Sequence, residues 1–466
     1  MDKKTQLAAS IIAGMASFLA PFMGASVNIA LPSIGREFGA DAVTLGWIAT
    51  AYLLAAAVCL VPFGRLADIR GRKRVFTTGI LTYTISSLLC ALSSSTSGLI
   101  AFRIAQGIGA ALIFGTAIAI LTSVFPPGQR GKALGINTAS TYLGLSLGPV
   151  LGGLLTQHFG WRSIFLVNIP LGLMIIALVL TRLKSEWAEA RGEKLDLSGT
   201  FLYGLALVGI MLGFSRLPRA FGVWLFLAGI ALASGFILHE NRAASPILNI
   251  NLFRRNRVFA FSNLAALINY SATFAVGFFL SLFLQNIKGM NPQAAGLVLI
   301  AQPAVMALFS PLAGRASDRV EPRVVASAGM ALSGAGLFLL AFLRGTSPLV
   351  FIVGSLALLG FGFALFSSPN TNAVMSSVEK KSYGVASATL GTMRLVGQMT
   401  SMGIAMMIFA VFVGQVQIAA AAQESFLQAV RTGFFIFAAL CFAGVFPSLA
   451  RGKRHHDRPA KVDSQR

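Results

Sequence analysis

Hydrophobic and polar positions along this chain fall into long blocks, not into a short period. Uncharged, mostly apolar runs cover Thr5–Gly35, Ala42–Gly64, Val75–Phe102, Ile104–Gln129, Ala133–Gln157, Ser163–Thr181, Leu197–Ser215 and Ala220–Leu238. They continue through Val258–Ile287, Gly289–Gly314, Val324–Leu343, Gly345–Val378, Gly384–Gln423 (broken only by Arg394) and Thr432–Ala450. A bilayer-crossing helix needs about 20 such residues, and only a helix satisfies its backbone groups within one isolated segment in lipid. The pattern predicts an all-α polytopic membrane protein with fourteen transmembrane helices. The first run exceeds the roughly 7–15 apolar residues of a cleaved signal, so it reads as a retained helix.

Charge then orients the blocks. With the N-terminus inside, 28 of the 37 basic residues fall in cytoplasmic loops and 7 outside, leaving Arg103 and Arg394 in the membrane. That asymmetry obeys the positive-inside rule and predicts a multi-pass protein of the cell membrane with both termini cytoplasmic. The net charge of +22 is therefore a topology signal with some affinity for anionic headgroups, and no nucleic-acid partner is expected. Only 11% of residues are charged, against about 25% in soluble proteins, which excludes an ordinary soluble enzyme or a disordered chain. Cys59, Cys90 and Cys441 lie inside apolar runs without metal-ligand spacing, and no metal or cofactor is expected.

An internal repeat divides the chain. Gly64-Arg65-Leu66-Ala67-Asp68 returns as Gly314-Arg315-Ala316-Ser317-Asp318 at an offset of 250. Gly107 and Gly109 return as Gly360 and Gly362, and Gly131 and Gly144 as Gly384 and Gly397, at 253. Three matches at nearly one offset predict two six-helix pseudo-repeats, 1–182 and 258–450, separated by an inserted helix pair, 183–257, and followed by a basic cytoplasmic tail, 451–466. Six-helix repeats flanking a central site describe a secondary transporter.

Several motifs carry a family resemblance. Gly64-Arg65-Leu66-Ala67-Asp68-Ile69-Arg70-Gly71-Arg72-Lys73 follows the second helix; Arg103-x-x-Gln106-Gly107-x-Gly109 lies on the fourth. Gly144-x-x-x-Gly148-Pro149-x-x-Gly152-Gly153 lies on the fifth, and Gly160-Trp161-Arg162 through Asn168-x-Pro170-x-Gly172 joins the fifth to the sixth. Val27-Asn28-Ile29-Ala30-Leu31-Pro32 ends the first. Together these resemble the major facilitator superfamily, specifically its fourteen-helix drug–proton antiporter branch. The resemblance implies a signature loop after the second helix, a membrane arginine at Arg103 and an antiporter motif around Gly148 and Pro149. It also implies that Asp68 accepts hydrogen bonds at the N-terminus of the thirteenth helix, where the helix dipole is positive, with Gly64, Gly71 and Arg72 shaping the same loop.

Arg103 has its own physical weight. A guanidinium at its depth costs about 2.5–3.5 kcal/mol or more unless it faces protein or water. Snorkelling to the outer interface and a coupling role are both open readings, and Arg394 has the alternative of reaching back to the cytoplasmic headgroups. None of the fifteen acids falls mid-membrane. In the resembling branch an acid usually precedes the first-helix asparagine by five residues, where this chain has Met23. Protons are the candidate coupling ion, but no residue is identified as their carrier.

Neutral and amphipathic residues form the candidate substrate site: Met23, Asn28, Trp47, Tyr52, Gln106 and Tyr142 in the first repeat. The second supplies Asn269, Tyr270, Gln302, Asn370, Arg394 and Gln398. Aromatic surfaces with a few polar groups suit large lipophilic ligands. The expected function is secondary active export of lipophilic small molecules by alternating access, in a monomer; the alternative is export of one metabolite or organic anion. Without a mid-membrane acid, divalent cations should be poor substrates, and Met23→Asp should favour cations if position 23 faces the substrate path. No nucleophile–base pair, metal spacing or phosphate loop supports an enzyme.

Overall fold

The computed structural model describes residues 3–126, 130–183, 185–188, 192–193, 195–217, 219–243, 250–378, 383–414 and 423–452. Every regular element among them is a helix. The first part of the chain forms α1 (Lys3–Phe38), α2 (Ala42–Arg70), α3 (Arg72–Ala91), α4 (Thr96–Val124), α5 (Arg130–Phe159), α6 (Ser163–Leu166) and α7 (Asn168–Arg182). An antiparallel pair follows, α8 (Leu197–Arg216) and α9 (Ala220–Glu240). The last part forms α10 (Ile250–Arg255), α11 (Arg257–Thr273), α12 (Val276–Leu282), a π-helical turn (Phe283–Ile287), α13 (Pro292–Leu299), α14 (Ala301–Arg319), α15 (Pro322–Leu340), α16 (Leu349–Ser376), α17 (Tyr383–Phe412) and α18 (Gln423–Leu449).

Among the described residues, 12 helices or helix runs are long and apolar enough to cross a membrane. That count does not establish the expected fourteen. The two remaining runs are α3, which opens on Arg72, Lys73 and Arg74 and carries a hydroxyl-rich body, and α5, whose first side chains lie outside the description. The hydroxyls of α3 are not unsatisfied: Thr84 and Ser87 donate to the Ile80 and Tyr83 carbonyls one turn back, both at 2.7 Å.

The repeat read from glycines becomes a repeat of helix contacts. A Cβ on Gly109 would lie 2.7 Å from Tyr83 N, and one on Gly362 would lie 2.5 Å from Ser333 N. One on Gly107 would lie 2.3 Å from the Tyr52 carbonyl, and one on Gly360 2.4 Å from the Gln302 carbonyl. One on Gly144 would lie 2.6 Å from the Phe18 carbonyl, and one on Gly397 2.6 Å from the Leu267 carbonyl. Helices thus approach backbone to backbone at corresponding places: α3 on α4 and α15 on α16, α2 on α4 and α14 on α16, α1 on α5 and α11 on α17. Without a hydrophobic drive between helices in lipid, such small-residue contacts carry the packing.

The α8–α9 pair stands at the side. Gly209 and Gly229 let the two approach closely, and most of α9 faces outward. The pair docks mainly through α8, where the Tyr203 hydroxyl donates to the Ala57 carbonyl of α2 at 3.0 Å. Tyr203, Met211, Met399 and Met406 form a satellite core there, with Trp47 and Val58 packed against it.

Candidate functional site

Sequence-selected residues separate into three places. The first is the interior of α2, α3 and α4. Arg103 is 1% exposed, so it neither snorkels nor faces the seam between the two helix sets. Its Nε donates to the Ile48 carbonyl at 3.1 Å and its Nη1 to Gln106 Oε1 at 2.5 Å, while Gln106 Nε2 donates to Ser87 Oγ at 2.8 Å. The Tyr52 ring lies 4.4 Å from the guanidinium carbon. The charge is held by a carbonyl, an amide and an aromatic face, without a carboxylate among its recorded partners. Leu356 fills the corresponding position in α16, buried at 1%.

The second place is the end of the seam at the C-terminal part of α1, where the two helix sets meet. Pro32 lacks an N–H, so the Asn28 carbonyl four residues earlier has no helical donor. Ser281 Oγ of α12 supplies one at 2.6 Å, and Gln285 Nε2 donates to the Ile29 carbonyl at 2.9 Å. Gln285 sits in the π-helical turn, which rotates it toward α1; such turns often mark functional positions. On the neighbouring pair, Gly296 of α13 leaves room for the Pro149 carbonyl of α5: a Cβ there would lie 2.1 Å from it. Gly153 meets the Pro292 carbonyl in the same way at 2.5 Å. The antiporter motif therefore has two faces. Gly144, Gly148 and Gly152 seat α5 on α1, reinforced by Ser26 Oγ donating to the Gly148 carbonyl at 3.0 Å. Pro149 and Gly153 meet the other helix set.

The third place lies deeper along that seam. Tyr142 is two turns before Pro149 on the same face of α5. On the far side, Tyr270 packs edge-on against Phe363, with ring centroids 5.3 Å apart. Arg394 of α17 donates from Nη2 to Thr371 Oγ1 at 3.0 Å and stands 5.6 Å from the Tyr270 ring centroid. Its Nε is buried without a partner. Arg394 thus points to neighbouring helices, not back to the headgroups. Asn269, one residue before Tyr270, is fully buried with both amide atoms unpartnered, just before the helix breaks at Phe274. That break frees the Ala275 N–H, which Ser401 Oγ of α17 accepts at 3.0 Å. Gln302 and Gln398 are half-buried, and Asn370 is buried with Oδ1 unpartnered.

Two candidates fall elsewhere. Met23 is fully buried, and Asn168 of α7 donates to its sulfur at 3.2 Å and to the Ile164 carbonyl at 2.9 Å. It packs α1 on α7 and lines no open space. Trp47 belongs to the cluster beneath α8. The expected gain of cation transport by Met23→Asp is accordingly replaced. That variant should instead lower the thermal unfolding midpoint or abolish expression, because the new carboxylate would be buried with one amide for a partner. Normal stability together with cation export would refute this placement.

The signature loop caps itself. Gly71 has φ +113°, and the Asp68 carboxylate accepts from Arg72 Nε at 2.9 Å. Arg72 also donates to Ser123 Oγ at 2.7 Å, while Gly64 receives the close approach of Gly115. Asp68's expected partner is the start of α17, the thirteenth of the expected spans; its side chains through 384 lie outside the described residues, as does the Asp318 side chain. Sequence reasoning missed Ser281, Gln285 and Gly296, which lie outside every motif. It also missed Glu186, whose carboxylate accepts from the backbone N–H of Lys73 at 2.8 Å and of Arg74 at 3.2 Å. Only the position of Pro32, which strips one carbonyl of its donor, hinted at the contact of α1 with α12.

This arrangement has known counterparts. The riboflavin transporter RibZ of Clostridioides difficile is 29% identical over 93% of this chain and 95% of its own length. The multidrug resistance protein Stp of Mycobacterium tuberculosis is 33% identical over 84% of this chain and 74% of its own length. The fold matches a bacterial homologue of the human lysosomal transporter Spinster, solved inward-facing and unoccupied. Its TM-score is 0.68 at 18% identity, covering 97% of this chain and 98% of that one. The sequence model of the Major Facilitator Superfamily matches residues 13–238 and 263–466. With two helix sets meeting across a seam, repeated glycine contacts and that match over most of its length, this chain belongs to the Major Facilitator Superfamily of membrane transporters.

Proposed function

We propose that this protein exports lipophilic small molecules by alternating access, driven by proton entry, with fourteen spans and both termini cytoplasmic. The observation that supports the substrate class most is the group around Arg394. Tyr142, Tyr270 and Phe363 offer aromatic surface, and one guanidinium with an unpartnered Nε offers a donor. Such a site suits a flat lipophile carrying a carbonyl or anionic group, and disfavours a divalent cation, which would meet Arg394 with no carboxylate to offset it. Relatives named for riboflavin transport and multidrug resistance fit that chemistry. Outer contacts through Ser281, Gln285, Gly153 and Gly296 fit a state closed to the outside. The halves 1–182 and 258–450 would rock about them, with α8–α9 riding on the seam and the 451–466 tail cytoplasmic.

The test is uptake into inverted proteoliposomes with an imposed pH gradient. An anionic lipophile such as a carboxyl-bearing dye should accumulate and be released by a protonophore, whereas a divalent cationic dye should not accumulate. Arg394→Gln removes a charge-assisted hydrogen bond worth ~1.5–3 kcal/mol. Uptake of the anionic dye at limiting concentration should fall roughly 10- to 100-fold, and that of a neutral lipophile by far less. Equal loss for the anionic dye and the neutral lipophile would count against a substrate contact at Arg394, and indifference to the gradient would count against proton coupling.

A further inference from the structure

The cytoplasmic ends of the two helix sets differ in one respect. At the N-terminus of α3 an anion is built in, since Glu186, on the chain leaving the sixth helix, accepts the Lys73 and Arg74 N–H groups. The repeat offset of 250 carries this position to the N-terminus of α15. There the cap residue Glu321 makes no side-chain cap, and Pro322 opens the helix. The chain leaving α18 brings a cation instead of an acid. Arg451 is 2% exposed; its Nη2 donates to Ser448 Oγ at 2.8 Å, and its Nε and Nη1 have no acceptor among the described residues. Arg451, Arg323 and Glu321 line one pocket at this end with Pro322, Ser376 and Gly452. Glu321 turns its carboxylate onto Arg323 Nε at 2.5 Å, leaving Arg451 without it.

We propose that this pocket binds an anionic phosphate group, which takes the place that the Glu186 carboxylate holds in the other helix set. Three features converge on an oxyanion: a nineteen-residue helix with an uncapped N-terminus, a buried guanidinium with two idle donors, and a second arginine at the rim. Pro322 has no N–H and the Val324 N–H donates to the Glu321 carbonyl at 2.9 Å, so α15 offers the pocket chiefly its positive dipole end. A guanidinium gives its strongest hydrogen bonds to phosphate and carboxylate oxygens. Burial pushes the Arg451 guanidinium down to about 10, so it remains charged at neutral pH and an unpaired charge persists there. The phosphate can come from a lipid headgroup of the cytoplasmic leaflet or from a soluble phosphate.

The experiment uses the full chain in maltoside detergent, with Tm followed by tryptophan fluorescence against inorganic phosphate at constant ionic strength. Native mass spectrometry of the same samples detects retained phosphatidylglycerol. The wild type should show a saturable rise in Tm or retain a lipid that phosphate displaces. Arg451→Gln and the rim variant Arg323→Gln should each weaken the midpoint or the retention about tenfold or more. Without ligand, Arg451→Gln should be as stable as wild type, because it removes an uncompensated buried charge. Retained lipid displaced by phosphate identifies the headgroup as the source; a phosphate response without retained lipid identifies the soluble anion. Three results would overturn the proposal. One is no response to either probe, as when Asp457 or Asp463 of the chain itself fills the pocket. The others are a response equally strong in both variants, and marked destabilisation of unliganded Arg451→Gln with an unaltered midpoint in Arg323→Gln.

Discussion

Gly296→Leu should abolish transport while leaving the protein folded. A Cβ at position 296 would lie 2.1 Å from the Pro149 carbonyl oxygen and 2.9 Å from its carbon. Both atoms are backbone, so no rotamer change relieves the clash. The two residues lie on helices from opposite sides of the seam, so the cost falls on the arrangement in which the sets meet here and not on either helix set alone. Overpacking of this kind costs roughly 1–3 kcal/mol, enough to deplete that arrangement about 5- to 150-fold. Ser281→Cys, at the α1–α12 contact of the same seam, should become reactive to an impermeant thiol reagent from the outside in the Gly296→Leu background. Gly235→Leu is the control, because nothing lies within 4 Å of a Cβ there, and it should transport normally. Wild-type transport by Gly296→Leu would mean that the α5–α13 contact is not part of the cycle.

Arg103→Lys should be nearly as damaging as Arg103→Ala, despite keeping the charge. Arg103 donates to Ile48 on α2 and to Gln106, which passes the chain on to Ser87 of α3. A lysine ammonium lacks the planar fork that spans both acceptors, and a fully buried ammonium is desolvated at greater cost. Breaking one member of a buried charged network typically costs ~3–5 kcal/mol, which should appear as a lower Tm in detergent and lost uptake. Arg103→Met with Gln106→Leu removes the network as a whole, so it should recover stability toward the wild type. If transport stays lost in that double variant, the network acts in the cycle; if it returns, Arg103 serves assembly alone. A fully stable and active Arg103→Lys would contradict the hydrogen-bond role described above.

Much of this protein was legible before any coordinates. Membrane helices announce themselves because each must satisfy its own backbone over some 20 apolar residues, so the all-helical class and the order of the elements lie along the chain, while the expected fourteen spans stand against 12 among the described residues. Positive loops and the glycine repeat are equally local, and Gly107/Gly360, Gly109/Gly362 and Gly144/Gly397 each returned as a close helix contact. What spacing leaves open is the direction a side chain takes round its helix. Met23 and Trp47 lie on the expected helices but pack on Asn168 and beneath α8. Gly148 and Pro149 are adjacent in sequence yet face different partners, because neighbouring helical positions diverge by about 100°. The outer contact of Ser281, Gln285 and Gly296, the helix break before Ala275 and the pairing of Glu186 with α3 against Arg451 near α15 join residues far apart in the chain. None of these has a local composition that marks it. Only the packing of one helix set against another decides which polar groups find partners and which, like Arg394 Nε and Arg451 Nη1, find none among the described residues.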